Sequence, residues 1–158
     1  MDILEFHGPH GWLRIFCRIV EKAQSPLAAQ DIQHVRYAAG GHGFSGSGDS
    51  FVSEADLRAF CKGLVDLADG GNAETRLEGH EVRGLNVRVL PGPEQNRISI
   101  EGRIVENSFR TLNEKDGTYI WSHEFGFWVG REALAAIRKV NWVRHYSSDT
   151  SIAISTAS

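Results

Sequence analysis

The chain is predicted to be an α+β protein with a mainly antiparallel sheet, one long amphipathic helix packed on it (about residues 53–68) and a shorter C-terminal helix (about 131–140). Three observations point there. One segment carries a helical apolar stripe with stop signals at both ends, several segments alternate with period two, and no β-α-β rhythm links them. The chain has 158 residues and a net charge of −3. That length is one domain's worth, enough to bury a core without staples. Residues 1–146 read as a single domain and 147–158 as a Ser/Thr-rich, poorly ordered tail.

Asp2 to His7 reads as a first strand with Leu4 and Phe6 on one side, and His7-Gly8-Pro9-His10-Gly11 as a turn. Trp12 to Val20 alternates, with Leu13, Ile15, Cys17 and Ile19 inward and Arg14, Phe16 and Arg18 outward. Glu21 to Asp31 is expected to be a loop around Ser25-Pro26, and Ile32 to Ala38 a weaker strand. The segment Gly40–Gly48 has glycine at five of nine positions. It is expected to be a loop or irregular edge, because glycine disfavours regular elements.

The helix comes next. Leu57, Phe60, Cys61, Leu64, Val65 and Ala68 form the stripe; Ser53 and Asp56 form an S-x-x-D capping box, and Gly70 and Gly71 end the helix. Ala73 to Glu78 is a short strand. Leu85, Val87 and Val89 alternate, Pro91-Gly92-Pro93-Glu94 turns, and Ile98, Ile100 and Ile104 alternate on the return, which predicts an antiparallel hairpin. Asn107 to Gly117 reads as a loop with fluctuating strand character at its ends. Tyr119 to Val129 reads as a long strand with Phe125, Phe127 and Val129 on one face and Glu124, Gly126 and Trp128 on the other. Arg131 to Val140 follows as the second helix, with Leu134 and Ile137 inward and Arg138 and Lys139 in its last turn.

Composition excludes several function classes. A mildly acidic chain lacks the clustered Lys and Arg that phosphate backbones and anionic membranes select, so neither nucleic acid nor membrane is an expected partner. The N-terminus has no basic stretch before an apolar run and no segment approaches roughly 20 apolar residues, so a cytoplasmic location is expected. Cys17 and Cys61 fall on inward faces and are expected to be free thiols.

The motifs carry no recognisable chemistry. Gly41-x-Gly43-x-x-Gly46 satisfies the dinucleotide fingerprint in form, but the helix begins seven residues too late to offer its N-terminus to a phosphate. Gly43-Phe44-Ser45-Gly46-Ser47 has serine where a nucleophile elbow needs its second glycine. His80-Glu81 and His123-Glu124 are followed by Gly84 and Phe127 where a zinc-protease helix needs histidine. No catalytic residue, cofactor site or metal site is assigned.

What remains are aromatics on faces that ought to be polar. Phe16 lies between Arg14 and Arg18, and Trp128 opposes the Phe125 and Phe127 face; an aromatic beside arginine is the composition of protein interfaces. The alternative is that both are core, beneath the second helix or the tail. The order Trp12-Leu13, then Gly43-Phe44-Ser45-Gly46, then Ser53-Glu54-Ala55-Asp56-Leu57-x-x-Phe60, a hairpin over Leu85 to Ile104, and Phe125-Gly126-Phe127 before a helix with Leu134 resembles the WapI-like immunity proteins. The resemblance spans about residues 1–140. It implies a small bacterial cytoplasmic protein of polymorphic toxin systems that neutralises a toxin by binding, and it carries no binding residues onto this chain.

Three functions are therefore weighed. The first is a non-enzymatic protein-binding module, immunity-like, with a cognate toxin as partner, electrostatic steering toward a basic target, and Arg14, Phe16, Arg18 and Trp128 at the interface. The second is a small-ligand-binding protein or enzyme with a pocket rimmed by the Gly40–Gly48 segment, near His42, Ser45 and Asp49. The third is a structural homo-oligomer in which Phe16 and Trp128 meet across a two-fold axis.

Overall fold

The computed structural model describes residues 2–19, 32–41, 43–79, 84–109 and 118–148. The expected loop at 21–31, the tail from 149 onward and His42 lie outside the described residues. The chain forms two four-stranded antiparallel meanders joined by one helix. The first sheet holds β1 (Ile3–His7), β2 (Trp12–Cys17), β3 (Ile32–Gly41) and β4 (Phe44–Ser53) in sequence order. The helix α1 (Glu54–Ala68) follows. The second sheet holds β5 (Thr75–Glu78), β6 (Gly84–Pro91), β7 (Arg97–Phe109) and β8 (Thr118–Gly130). A 3-10 helix η1 (Arg131–Lys139) and the short α2 (Asn141–Ser147) close the described chain. The α+β class and antiparallel pairing stand as expected, but the alternating segments divide into two sheets.

Helix α1 has the predicted ends. Ser53 Oγ accepts from the Asp56 N–H at 3.1 Å. At the other end the Gly71 N–H donates to Asp66 O and the Gly70 N–H to Leu67 O, a Schellman closure with Gly70 at φ +97°. Leu57, Phe60, Cys61 and Leu64 are fully buried, as is Leu67, whereas Val65 and Ala68 are only partly so. The stripe is thus centred slightly off the predicted line. The last turn of α1 has no basic residue of its own, and Arg131 reaches across from η1 toward the Leu67 and Gly71 carbonyls, setting a guanidinium against the negative helix end.

Two expectations need correction. Strand β2 ends at Cys17, so Ile19 does not point into the core but is 40% exposed. The glycine-rich segment is not a loop. Its described residues are the end of β3, the turn at Gly43 with φ +79°, and the first half of β4, paired from Gly41↔Phe44 onward. Glycine is tolerated because Gly46 and Gly48 stand opposite Ala39 and the buried Tyr37, while Ser45, Ser47 and Asp49 face water in period two. Asn107 to Phe109, at the start of the segment expected to be a loop with strand character at its ends, belong to β7.

The predicted antiparallel hairpin of β6 and β7 is present, and its register pairs Leu85 with Ile104 and Val89 with Ile100. The segment after η1 matters more than its length implies. Trp142 and Tyr146 of α2 are the two largest fully buried side chains, each contributing about 4–6 kcal/mol of gross transfer free energy. The Trp142 indole N–H donates to Asp2 O at 2.9 Å and the Tyr146 hydroxyl bonds Gln33 Oε1 at 3.2 Å, which ties α2 to the first sheet. A single core runs from the first sheet through α1 and the C-terminal helices to the second sheet.

Candidate protein interface on the first sheet

Both sheets turn one face to the core and leave the other in solvent, and the two outer faces differ in chemistry. In the first sheet the antiparallel register lines up Ile3, Phe16, Arg36 and Asp49 across the four strands, with Glu5, Arg14, Ala38 and Ser47 in the next row and His34 beside Phe51. Among the described residues the exposed large hydrophobics are Ile3 (46%), Ile19 (40%), Ile32 (41%) and Phe51 (52%). Three lie in the strands of this sheet and Ile19 two residues past the end of β2. Phe16 and Trp12 are half-buried on the same outer face. Scattered exposed apolar residues need no explanation, whereas a set gathered on one sheet does.

The charges there are matched. Arg14 pairs with Glu5 at 3.0 Å and lies over the Trp12 ring, 5.1 Å from its centroid. Asp49 Oδ1 lies 3.3 Å from His34 Nε2 and 3.6 Å from Arg36 Nε, and the His34 and Phe51 rings are 5.2 Å apart. Pairs this exposed stabilise the fold by about 0–1 kcal/mol each. Their consequence is a nearly neutral face whose apolar atoms are available. The expected steering toward a basic partner therefore does not arise from this surface, since both of its carboxylates already face cations.

The sequence-predicted residues distribute as follows. Arg14 and Phe16 are on this face, and Arg18 is exposed just beyond the end of β2. Trp128 is on the outer face of the second sheet, half-buried beneath Arg97, whose guanidinium sits 3.8 Å from the ring centroid. Phe16 and Trp128 thus occupy different sheets. Ser45 and Asp49 stand four residues apart on the exposed side of β4, about 13 Å along the strand. Sequence reasoning missed Trp12, Ile3, Ile32 and Phe51. Trp12 had a signal, since its cross-strand partner is Gly40, and a Cβ there would approach the indole to 2.7 Å. An aromatic over a glycine needs the pairing to be known first.

The second sheet's outer face is a charge ladder. Arg76 bridges Glu74 and Glu78, Arg88 reaches Glu74 and Glu101, and a shallow cleft of about 810 Å³ lies over Glu78, Asn86, Arg88, Glu101, Arg103 and Glu124. Glu74 titrates below the ordinary carboxylate value, first because Arg76 donates to it and then through the charges of Arg76 and Arg88. Arg88 is held further protonated by its hydrogen bond to Glu101 and by Glu74. The lowered value keeps Glu74 ionised, whereas a general acid needs the opposite shift; the cleft itself is lined by the carboxylates of Glu78, Glu101 and Glu124 among arginines.

Cys17 and Cys61 are buried free thiols. Burial pushes Cys17 up to about 12. It pushes Cys61 up as well, with Cys17 adding to the rise and Arg58 opposing it. Such thiols are inert. Among the described residues no three His, Cys, Asp or Glu gather in a metal-holding arrangement, and no helix is long and apolar enough to cross a membrane. No family model, curated protein or solved structure matches the chain.

Proposed function

We propose that this chain is a non-enzymatic protein-binding module that docks a partner on the outer face of the first sheet, and, more narrowly, that the partner is a toxin domain it neutralises. The observation that carries the reading is the gathering of Ile3, Ile32 and Phe51 with the half-buried Phe16 and Trp12 on one charge-balanced face. Aromatic side chains beside arginine are what binding hot spots are enriched in, and a sheet that already fixes their backbone lowers the ordering cost of docking. The immunity role rests on the sequence resemblance alone.

The test is co-purification with the protein encoded by the adjacent reading frame, followed by calorimetry. A stoichiometric complex is expected. Phe51→Ser, which alters a half-exposed side chain, weakens it at least tenfold while leaving the melting temperature within about 2 °C. Failure to bind, or equal affinity for the Phe51→Ser variant, refutes the assignment of this face.

A further inference from the structure

A second recognition feature borders that face, at the edge of β1 that no other described strand pairs. Among the described residues strand β1 pairs only with β2. The Gly8 N–H donates to Gly11 O at 2.9 Å, which makes Gly8 and Gly11 a hydrogen-bonded pair and sets the phase of the ladder. Antiparallel pairs alternate, so Phe6/Leu13 and Leu4/Ile15 are bonded and His7/Trp12, Glu5/Arg14 and Ile3/Phe16 are not. The backbone N–H and C=O groups of Ile3, Glu5 and His7 therefore point away from β2.

They point at a groove. Ile3, Leu4, Glu5 and His7 line one wall of a cavity of about 440 Å³, and Ala133, Ala136, Ile137 and Val140 line the other. In a 3-10 helix side chains three apart eclipse, so Leu134, Ile137 and Val140 stack toward the core and Ala133 and Ala136 form the neighbouring row. The small alanines leave the space open. Both ends are anchored: Asn141 and Trp142 bond Asp2 at 2.9 Å each, and at the other end the backbone of Gly8 abuts the Trp128 carbonyl. Lys139, next on the alanine row at the Asp2 end, has no ion pair among the described residues.

We propose that this edge and groove bind an extended segment of a partner protein by strand addition. Three donors and three acceptors in register define the occupant as a β-strand, and the apolar wall defines its inward side chains as alternating and of small to medium size. Lys139 favours an acidic residue at the end of the segment beside it. The site shares Ile3 and Glu5 with the outer face but rests on their backbone groups and the groove wall, not on the exposed aromatics, so either reading can fail without the other.

The experiment is an amide-resolved NMR titration of the full chain. The probes are acetylated, amidated heptapeptides alternating threonine with valine, isoleucine, leucine or phenylalanine and ending in glutamate. At least one is expected to shift and protect the amides of Ile3, Glu5 and His7 together with those of η1. Glu5→Pro removes a donor that β2 does not use, at an edge position that tolerates proline, so the fold survives while affinity falls at least about tenfold. Ala136→Glu fills the groove from an exposed position and does the same. The proposal is overturned by no amide response at millimolar peptide, by undiminished binding to Glu5→Pro, or by amides of Ile3, Glu5 and His7 already protected without peptide. That last result would mean that the edge is closed by the chain itself or a second copy.

Discussion

Replacing Gly63 by alanine is the sharpest probe of how α1 is seated. On an exposed helix the change stabilises by about 1 kcal/mol, because glycine forfeits backbone entropy that alanine does not. Gly63, however, faces β5. An added methyl would fall closer than 3.0 Å to both Oγ1 and Cβ of Thr75, and Cβ cannot swing aside as the far end of a long side chain can. Thr75 is itself buried, and its hydroxyl donates to Phe60 O at 3.1 Å. Forcing the two elements apart costs about 1–3 kcal/mol of overpacking, and losing the buried hydrogen bond costs about 1–3 kcal/mol more. Against the helical gain the net is a destabilisation of about 3 kcal/mol. Urea unfolding followed by circular dichroism is the assay, with a midpoint expected to fall by roughly 1.5 M and a melting temperature by about 6–12 °C. The exposed neighbour Lys62→Ala serves as control and stays within about 0.5 kcal/mol. In a Thr75→Gly background the clash is gone, and Gly63→Ala becomes neutral or stabilising. A Gly63→Ala single variant with a raised midpoint refutes the packing described here.

Neither thiol is expected to react with iodoacetamide at pH 8 in the folded protein, whereas both react in 8 M urea; labelling of either in the native state contradicts their burial. Because their folded pKa values are raised, the stability they confer is complete below the unfolded thiol range near 8.5 and is lost as pH climbs toward about 12, so alkaline unfolding accompanies their ionisation. Glu74 has the opposite sign. Its folded pKa lies below the ordinary 4.5, so its contribution is present above that value and disappears as pH falls through the folded one. Wild type and Glu74→Gln therefore differ in urea midpoint at pH 7 and converge in acid, and a gap that persists at the lowest pH counts against the Arg76 and Arg88 pairing.

Much of the scaffold is local and was legible. The stripe of α1, its Ser53 cap and Gly70 exit, the alternation of β6, β7 and β8, and the inward Phe127 and Val129 all follow from periodicities within a few residues of each other. Of the proposed interface, Arg14 and Phe16 were legible as an aromatic out of phase beside a cation. Phe51 was not, because its strand is written in glycine and serine and shows no apolar alternation to place it.

The sequence by itself determined which side of each helix and strand is apolar and where the main helix starts and stops, since those are properties of neighbours along the chain. Tertiary structure decided that the strands form two sheets, that a glycine tract becomes β4, that Trp142 and Tyr146 fill the centre, and that the apolar residues left over share one outer face. Those outcomes depend on which distant segments pair. Pairing is settled by register and burial between residues far apart in sequence, and a single chain's local pattern does not encode it.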